Sequence, residues 1–193
     1  MRKQDRQDMP QLGALKKELK RERYKRRFRR LMRSTVNALI VVAAVAALVA
    51  TLVLPVLQIA GTSMEPSLQD GDIVVLVKKK DLETGDLCAF YFSNKILVKR
   101  VIGVPGDYIW IEGDGSVFLN GEPLDEPYIS QKALGECDVE FPYQVPENSY
   151  FVMGDQRDTS IDSRSSVIGC IAEDQIVGKL ICRFWPLSEF EFI

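Results

Sequence analysis

Ser63 and Lys99 are two residues of this chain whose types and settings could carry chemistry. Ser63 lies in the stretch 61–68, Gly-Thr-Ser-Met-Glu-Pro-Ser-Leu, where a serine is either a nucleophile or an ordinary turn hydroxyl. Lys99 lies in the apolar run 95–103, Lys-Ile-Leu-Val-Lys-Arg-Val-Ile-Gly. Burial lowers the pKa of a lysine, and such a lysine can take a proton from a serine near neutral pH. The pair could therefore perform nucleophilic catalysis.

The absence of histidine restricts the kind of hydrolase that this chain could be. None of the 193 residues is a histidine, and a Ser-His-Asp triad, a Cys-His dyad and an HExxH zinc site all need one. The base of a hydrolase would then be a lysine, a carboxylate or a metal-bound water. No CxxC pair is present, so we expect no metal cluster and no cofactor. The chain has four cysteines, Cys88, Cys137, Cys170 and Cys182. They could form disulfides in any of three connectivities, or they could be buried free thiols.

The run around Lys99 has the pattern of a β-strand that is apolar on both faces. Alternation places one set of side chains on one face, Leu97, Lys99 and Val101, and another on the opposite face, Ile96, Val98, Arg100 and Ile102. We therefore expect the strand to be buried on both sides. Lysine is seldom buried unless it is paired or functional. The alternative is a lysine whose stem packs on apolar surface while its ammonium group reaches water.

A third stretch, 154–164, reads Gly-Asp-Gln-Arg-Asp-Thr-Ser-Ile-Asp-Ser-Arg and is framed by predicted strands. Its three aspartates and two arginines indicate a loop held by ion pairs. If its end is extended, Ser160, Asp162 and Arg164 point to the same side. A hydroxyl and an ion pair would then meet on one surface, and loops of this kind on a β scaffold often carry function.

The elements that must position these residues form a predicted β domain. Short runs rich in β-branched and aromatic residues alternate with Gly, Asn and Asp turns, and no helical periodicity appears after residue 60. We expect a mainly β, antiparallel fold with a polar, proline-bearing excursion at 122–148. Trp110, Phe184 and Trp185 are expected to be buried in the sheets rather than to touch a membrane. The strands are predicted at 72–78, 87–92, 95–103, 108–112, 116–119, 149–154 and 175–184.

The N-terminal part has a different composition. Residues 1–33 carry 14 Lys/Arg and four Asp/Glu, a net charge of +10, whereas the remaining residues carry a net −12. Residues 35–54 contain no charge, and a helix of that length crosses the hydrocarbon core of roughly 30 Å. A cleaved signal peptide would have a shorter apolar core and a shorter basic region.

We therefore predict a signal anchor at 34–57, with the basic arm of residues 1–33 in the cytoplasm and residues 58–193 on the extracytoplasmic side. The bias of Lys and Arg to the N-terminal side of the apolar run sets this single-pass orientation. We expect the arm to contact the anionic surface of the lipid bilayer, and not nucleic acid, which is the alternative for such a basic run.

Three stretches in this order, 61–68, 99–107 and 154–164, resemble one family, the bacterial type I signal peptidases. These are membrane-anchored serine proteases with a Ser-Lys dyad. The resemblance covers residues 35 to about 187, and the stretch 61–68 is of the Gram-positive type. It implies a fold of two antiparallel sheets with a smaller β excursion, which would fit residues 104–150. It also implies the removal of N-terminal signal peptides from translocated preproteins at a bacterial cell membrane, by an enzyme that acts as a monomer.

The resemblance implies a role for each matching residue. Ser63 would be the nucleophile, Lys99 its general base, and Ser160 the hydroxyl that orients the lysine. Gly154 would pack close to Lys99, and Met64 follows the nucleophile as in the family. Ion pairs would hold the site through Asp155, Asp162 and Arg164, with Arg100 as the partner of Asp155. Some family members carry a serine at the position of Gly61 whose hydroxyl donates to the oxyanion, so the second oxyanion donor of this chain is not identified.

The main alternative is a membrane-anchored, non-catalytic β domain that binds extracytoplasmic ligands. Lys99 discriminates against it, because a binding module has no need of a lysine on a doubly apolar strand. Other serine enzymes fit less well: Glu65 occupies the second glycine position of Gly-x-Ser-x-Gly, and Ser-x-x-Lys is absent. A soluble self-cleaving Ser-Lys repressor protease shares the dyad but would not carry an anchor.

Overall fold

The computed structural model describes residues 12–193, apart from the side chains of residues 12–15 and 49–53. Residues 1–11 of the predicted basic arm lie outside the described residues. The chain divides near residue 50 into an N-terminal helical unit and a β unit that extends from Thr51 to Ile193.

One unbroken helix, α1 (Leu12–Val53), contains both the described part of the basic arm and the apolar run. Its part Lys16–Leu48 is long and apolar enough to cross a membrane, by length and composition. Apolar side chains of this part, such as Leu39 and Val42, are exposed. The helix ends two residues before Pro55, which cannot continue the hydrogen-bond ladder.

The β unit consists of short strands with two single-turn 3-10 helices, Glu173–Gln175 and Leu187–Glu189. The strands are β1 (Val56–Gln58), β2 (Ile73–Val77), β3 (Leu87–Phe92), β4 (Lys95–Gly103), β5 (Tyr108–Ile111), β6 (Val117–Leu119), β7 (Glu122–Pro123), β8 (Tyr143–Gln144), β9 (Ser149–Met153), β10 (Ile171–Ala172), β11 (Ile176–Trp185) and β12 (Glu191–Phe192).

These strands form two sheets. The larger has the order β1-β2-β11-β3-β4-β9-β10, with β12 paired to β11, and the smaller has the order β7-β6-β5-β8. Every pairing is antiparallel. The prediction of a mainly β, antiparallel fold preceded by one apolar helix is confirmed. The smaller sheet is built from residues 108–144.

The β3–β4 hairpin determines where Lys99 lies. Its two-residue turn, Ser93 and Asn94, has positive φ angles of 44° and 63°, the geometry whose twist matches that of the flanking strands. The turn sets a register in which Cys88 faces Lys99, while β9 pairs with β4 on its other edge. Lys99 is therefore placed in the interior of the larger sheet.

Two expectations about burial are wrong. Strand β4 is buried on both faces only from Lys99 onward, and Ile96, in its first half, is 37% exposed. Trp110, Phe184 and Trp185 are 46 to 50% exposed and are not buried in the sheets. Trp110 alternates with the buried Ile109 and Ile111 and so occupies the outer face of β5.

Candidate active site

Ser63 is carried by the serine loop, residues 59–72, which connects β1 to β2. Met64 and Leu68 are buried in one cluster of the core, and this fixes the loop against the larger sheet. Gly61 has a φ of +93°, which favours glycine, and its N–H donates to Asp70 Oδ1 at 2.7 Å. Ser63 follows this turn half-buried, so its hydroxyl is held near the surface of the unit.

The far end of the serine loop is held by a buried ion pair. Arg183 Nη1 donates to Asp72 Oδ2 at 3.3 Å and to the Ser67 carbonyl at 3.3 Å. Asp72 Oδ2 also accepts the Gln69 N–H at 2.9 Å. Asp70 and Asp72 therefore close the serine loop. Asp70 binds the first part of the loop through the Gly61 N–H, and Asp72 is held by Arg183.

Lys99 is only 3% exposed. Its Nζ donates to Ser160 Oγ at 2.8 Å, and Ser160 Oγ donates in turn to Asp162 Oδ2 at 2.7 Å. Burial lowers the pKa of Lys99 from 10.5 to about 8, against the opposing charge of Asp162. A substantial fraction of the lysine is therefore neutral near physiological pH, as a general base requires.

Ser63 and Lys99 line the same cavity, whose volume is about 110 Å³. Its remaining wall is mostly apolar and comes from the end of β1, the serine loop and the first half of β4: Leu57, Gln58, Ile59, Ala60, Met64, Ile96, Leu97 and Val98. The exposed half of β4 is thus one wall of this cavity. Within the described residues the Ser63 N–H donates to no acceptor, which leaves it available to a bound group.

The acidic loop, residues 154–164, surrounds Lys99 with buried charge. Arg164 Nε and Nη2 donate to the two oxygens of Asp162, both at 2.8 Å, and both side chains are fully buried. Burial alone would raise the pKa of Asp162, but the hydrogen bonds and charge of Arg164 and the Gly154 N–H, at 2.9 Å, lower it. Asp162 is therefore a carboxylate that accepts from Ser160.

The end of the acidic loop is turned and not extended, because the Ser165 N–H donates to the Asp162 carbonyl at 2.9 Å, so the expected alternation is not the cause. The Ser160 N–H donates to the Gln156 carbonyl at 3.1 Å, which folds the loop back. The Gln156 N–H donates to the Ser63 carbonyl at 3.1 Å. The acidic loop and the serine loop are therefore joined directly through their backbones.

Gly154 lies where these two loops meet. A Cβ at this position would come within 2.6 Å of both the Ser160 Cβ and the Ser63 carbonyl oxygen, and closer still to Ser160 Oγ. The atoms nearest to Gly154 are thus those of Ser160 and Ser63, the neighbours of Lys99. Only glycine allows this approach.

Arg100, next to Lys99 on β4, makes a bidentate pair with Asp155. Its Nε and Nη2 donate to the two Asp155 oxygens at 2.8 and 2.6 Å. Its other contacts are the Gly85 carbonyl at 2.8 Å and Ser67 Oγ at 3.2 Å. One side chain therefore holds the acidic loop, the serine loop and the turn before β3 together.

Glu126 and Tyr128 are among the residues in contact with this site that were not predicted. Glu126 pairs with Arg157 of the acidic loop, and the Tyr128 ring covers the Arg100 guanidinium at 3.9 Å. The loop composition indicated ion pairs but not this partner, which is 31 positions away. In the sequence they are marked only by their position in the polar, proline-bearing excursion at 122–148, which is a weak indication of a contact with the site.

The described residues contain no cluster of three or more candidate metal ligands. The four cysteines are free thiols, with Cys88 and Cys182 buried and Cys137 and Cys170 partly exposed. The chemistry that the site can support is thus that of a serine beside a desolvated lysine: attack on a carbonyl group with proton transfer through the lysine.

Known proteins of one kind match this chain. A family model described as signal peptidase, peptidase S26, matches residues 32–185. Signal peptidase IB of Staphylococcus aureus (strain MRSA252) is 40% identical over 154 residues, which cover 69% of this chain and 79% of that protein. Signal peptidase I of Bacillus licheniformis is 35% identical over 144 residues, covering 68% and 76%. A crystal structure of a signal peptidase I from Enterococcus faecalis V583 matches with a TM-score of 0.44 and 27% identity, covering 52% of this chain and 97% of that chain.

The matched proteins define a class of enzyme, the serine peptidases. The chain belongs to the signal peptidase family, peptidase S26. The resemblance that the three sequence stretches indicated is thereby confirmed.

Proposed function

We propose that this chain is a type I signal peptidase that removes N-terminal signal peptides from translocated preproteins by means of a Ser63-Lys99 dyad. The observation that carries the proposal is the buried Lys99, whose pKa is lowered to about 8 and which shares a cavity with Ser63. The printed names of the relatives support the choice of substrate.

In the proposed mechanism, neutral Lys99 takes the proton of Ser63 Oγ, which attacks the carbonyl carbon of the scissile peptide bond. The Ser63 N–H donates to the resulting oxyanion, and Lys99 then gives its proton to the leaving amine. In the second step Lys99 takes a proton from a water molecule, which attacks the ester carbonyl. Lys99 returns that proton to Ser63 Oγ as the ester C–O bond breaks and the acid product leaves. Ser160 orients Lys99 through both steps.

The supporting residues keep this geometry. Asp162 and Arg164 hold Ser160, the pair of Arg100 with Asp155 holds the base of the acidic loop, and Gly154 gives Ser160 its space. Met64 anchors the serine loop in the core. The apolar cavity wall admits small side chains before the cleaved bond, which fits the Ala-x-Ala pattern of signal peptides.

The anchor at 34–57 would hold the enzyme in a bacterial cell membrane, with the basic arm in the cytoplasm, residues 58–193 outside and the enzyme acting as a monomer. The bias of basic residues supports this orientation. Anchoring raises the local concentration of a substrate that is itself held in the bilayer. Protease added to intact cells should digest the β unit and spare an epitope fused to the N-terminus, and the reverse pattern would contradict the topology.

The dyad is tested with the full-length enzyme in detergent and a preprotein whose signal peptide ends in Ala-x-Ala. Ser63→Ala and Lys99→Ala should each lower kcat by at least about 1,000-fold. Lys179→Ala is the matched control, because Lys179 is a lysine of β11 that pairs with Asp86 instead of facing the cavity. Cleavage by either dyad variant at a rate close to wild type would show that the assignment is wrong.

A further inference from the structure

The excursion between β7 and β8 reaches the acidic loop through a short segment, Glu126-Pro127-Tyr128, which we name the clip. Glu126 accepts two hydrogen bonds from Arg157, one of them at 3.2 Å from Nη1 and the other from Nη2. The Tyr128 hydroxyl donates to the same carboxylate at 3.2 Å. The side chains of Arg157 and Glu126 are 0% and 3% exposed, so this is a buried ion pair.

The second contact of the clip is made by the ring of Tyr128. The Arg100 guanidinium carbon lies 3.9 Å from the ring centroid, within cation–π distance. Arg100 is the residue that holds Asp155. The clip therefore contacts the two arginines that bond to Gly154 and Asp155: Arg157 donates to the Gly154 carbonyl and Arg100 to the Asp155 carboxylate.

The contacts continue from the clip to the lysine. Arg157 Nε donates to the Gly154 carbonyl at 3.1 Å, and the Gly154 N–H donates to Asp162 Oδ2. The same Asp162 oxygen accepts from Ser160, which accepts from Lys99. Both polar groups of Gly154 are thus occupied, one facing the clip and one facing the base.

We propose that Glu126 and Tyr128 are positioning residues of this enzyme, which fix Gly154 and Asp155 and thereby hold Ser160 and Lys99 in the geometry for proton transfer. The inference rests on the proposed Ser63-Lys99 function. The excursion between β7 and β8 would thus contribute to catalysis without touching the substrate. Displacement of a catalytic group by about 1 Å can cost roughly 100-fold in rate.

The test uses the full-length enzyme and steady-state cleavage of one preprotein. Glu126→Gln and Tyr128→Leu should each lower kcat by roughly 10- to 100-fold with KM within about twofold of wild type. Tyr128→Phe keeps the ring over Arg100 and should recover most of kcat. A role in stability alone would lower the melting temperature and leave kcat unchanged below that temperature, which would overturn the proposal.

Asp107→Ala is the control for loosening the small sheet. Asp107 accepts the Val104 N–H at 2.8 Å and an Asn120 amide hydrogen at 2.8 Å, close to β5 and away from the acidic loop. It should leave kcat unchanged, and an equal loss of kcat in Asp107→Ala and Tyr128→Leu would also overturn the proposal. If Glu126→Gln does not fold, the comparison of Tyr128→Leu with Tyr128→Phe decides alone.

These variants distinguish an error in the proposal about the clip from an error in the proposal about the dyad. If Ser63→Ala abolishes cleavage while the clip variants cleave like wild type, only the clip is wrong. If Ser63→Ala cleaves, the proposed function is wrong whatever the clip variants do.

Discussion

Lys99 Nζ lies 2.8 Å from Ser160 Oγ, and both residues are buried. The Ser160 hydroxyl donates its own proton to Asp162, so its lone pairs face the lysine. Within the part of the chain that the structure describes, Ser160 Oγ is the acceptor of the amine, and the lone pair of neutral Lys99 is left for the cavity that it shares with Ser63.

Removing this acceptor should reduce catalysis without unfolding the loop. We expect Ser160→Ala to lower kcat roughly 100-fold, because the lysine loses the contact that fixes its direction. Ser163 provides a matched control, since it is a buried serine of the same loop whose hydroxyl accepts the Val152 N–H at 2.9 Å. Equal kcat values for Ser160→Ala and Ser163→Ala would contradict the orienting role.

The pH dependence of cleavage should report Lys99. Only the neutral amine accepts the serine proton, and burial lowers its pKa to about 8. The value of kcat/KM should thus fall about tenfold for each pH unit below that point and level off above it. A profile that stays flat between pH 6 and pH 9, measured with substrate well below KM, would exclude Lys99 as the base.

Gly154→Ala should be among the most damaging single-methyl changes in the chain. Its Cβ would collide with Ser160 and with the Ser63 carbonyl, both held by hydrogen bonds. We expect a loss of kcat of about 100-fold and a destabilisation of roughly 1–3 kcal/mol. Gly113→Ala is the control, because a Cβ at Gly113 meets no atom within 4 Å. Denaturation curves and cleavage rates of the two variants, measured together, decide whether the crowding matters.

A hydroxyl at position 61 should not improve this enzyme. Gly61→Ser has open space around its Cβ, but the φ of +93° disfavours any side chain by about 1–2 kcal/mol. Relaxing that angle would disturb the Gly61 N–H bond to Asp70 and with it the position of Ser63. We expect lower stability in chemical denaturation and unchanged or lower kcat. A gain in kcat would show that the missing oxyanion donor outweighs the strain.

The strands that the sequence predicts well are those with strong turns at their ends. Strands β3 and β4 have the predicted bounds, since Gly85, Ser93 and Asn94 all adopt positive φ angles there. Strands β1, β7, β8, β10 and β12 were not predicted. They have two or three residues each, and only tertiary pairing with a longer neighbour makes them strands.

The residues of the site also differ in how well the sequence predicts them. Ser63, Lys99 and Ser160 could be picked out as candidates from local patterns, and the family resemblance implied their roles. Glu126 and Asp70 have no such pattern, since an acidic residue in a polar stretch is indistinguishable from a solvated one. Their roles depend on the groups that the fold brings to them: the Arg157 guanidinium, 31 positions from Glu126, and the Gly61 N–H, nine positions from Asp70.

The backbone bond between Gln156 and Ser63 joins positions 93 residues apart, and Lys99 meets Ser160 across 61 residues. Contacts of this range make folding slow, because the entropy of closing long loops is lost before the contacts form. In the topology proposed above, Ser63 would emerge outside the membrane long before residues 154–164 follow. Proteolytic activity would then begin only when the whole unit has been exported and folded, which protects the new enzyme and the chains beside it from premature cutting.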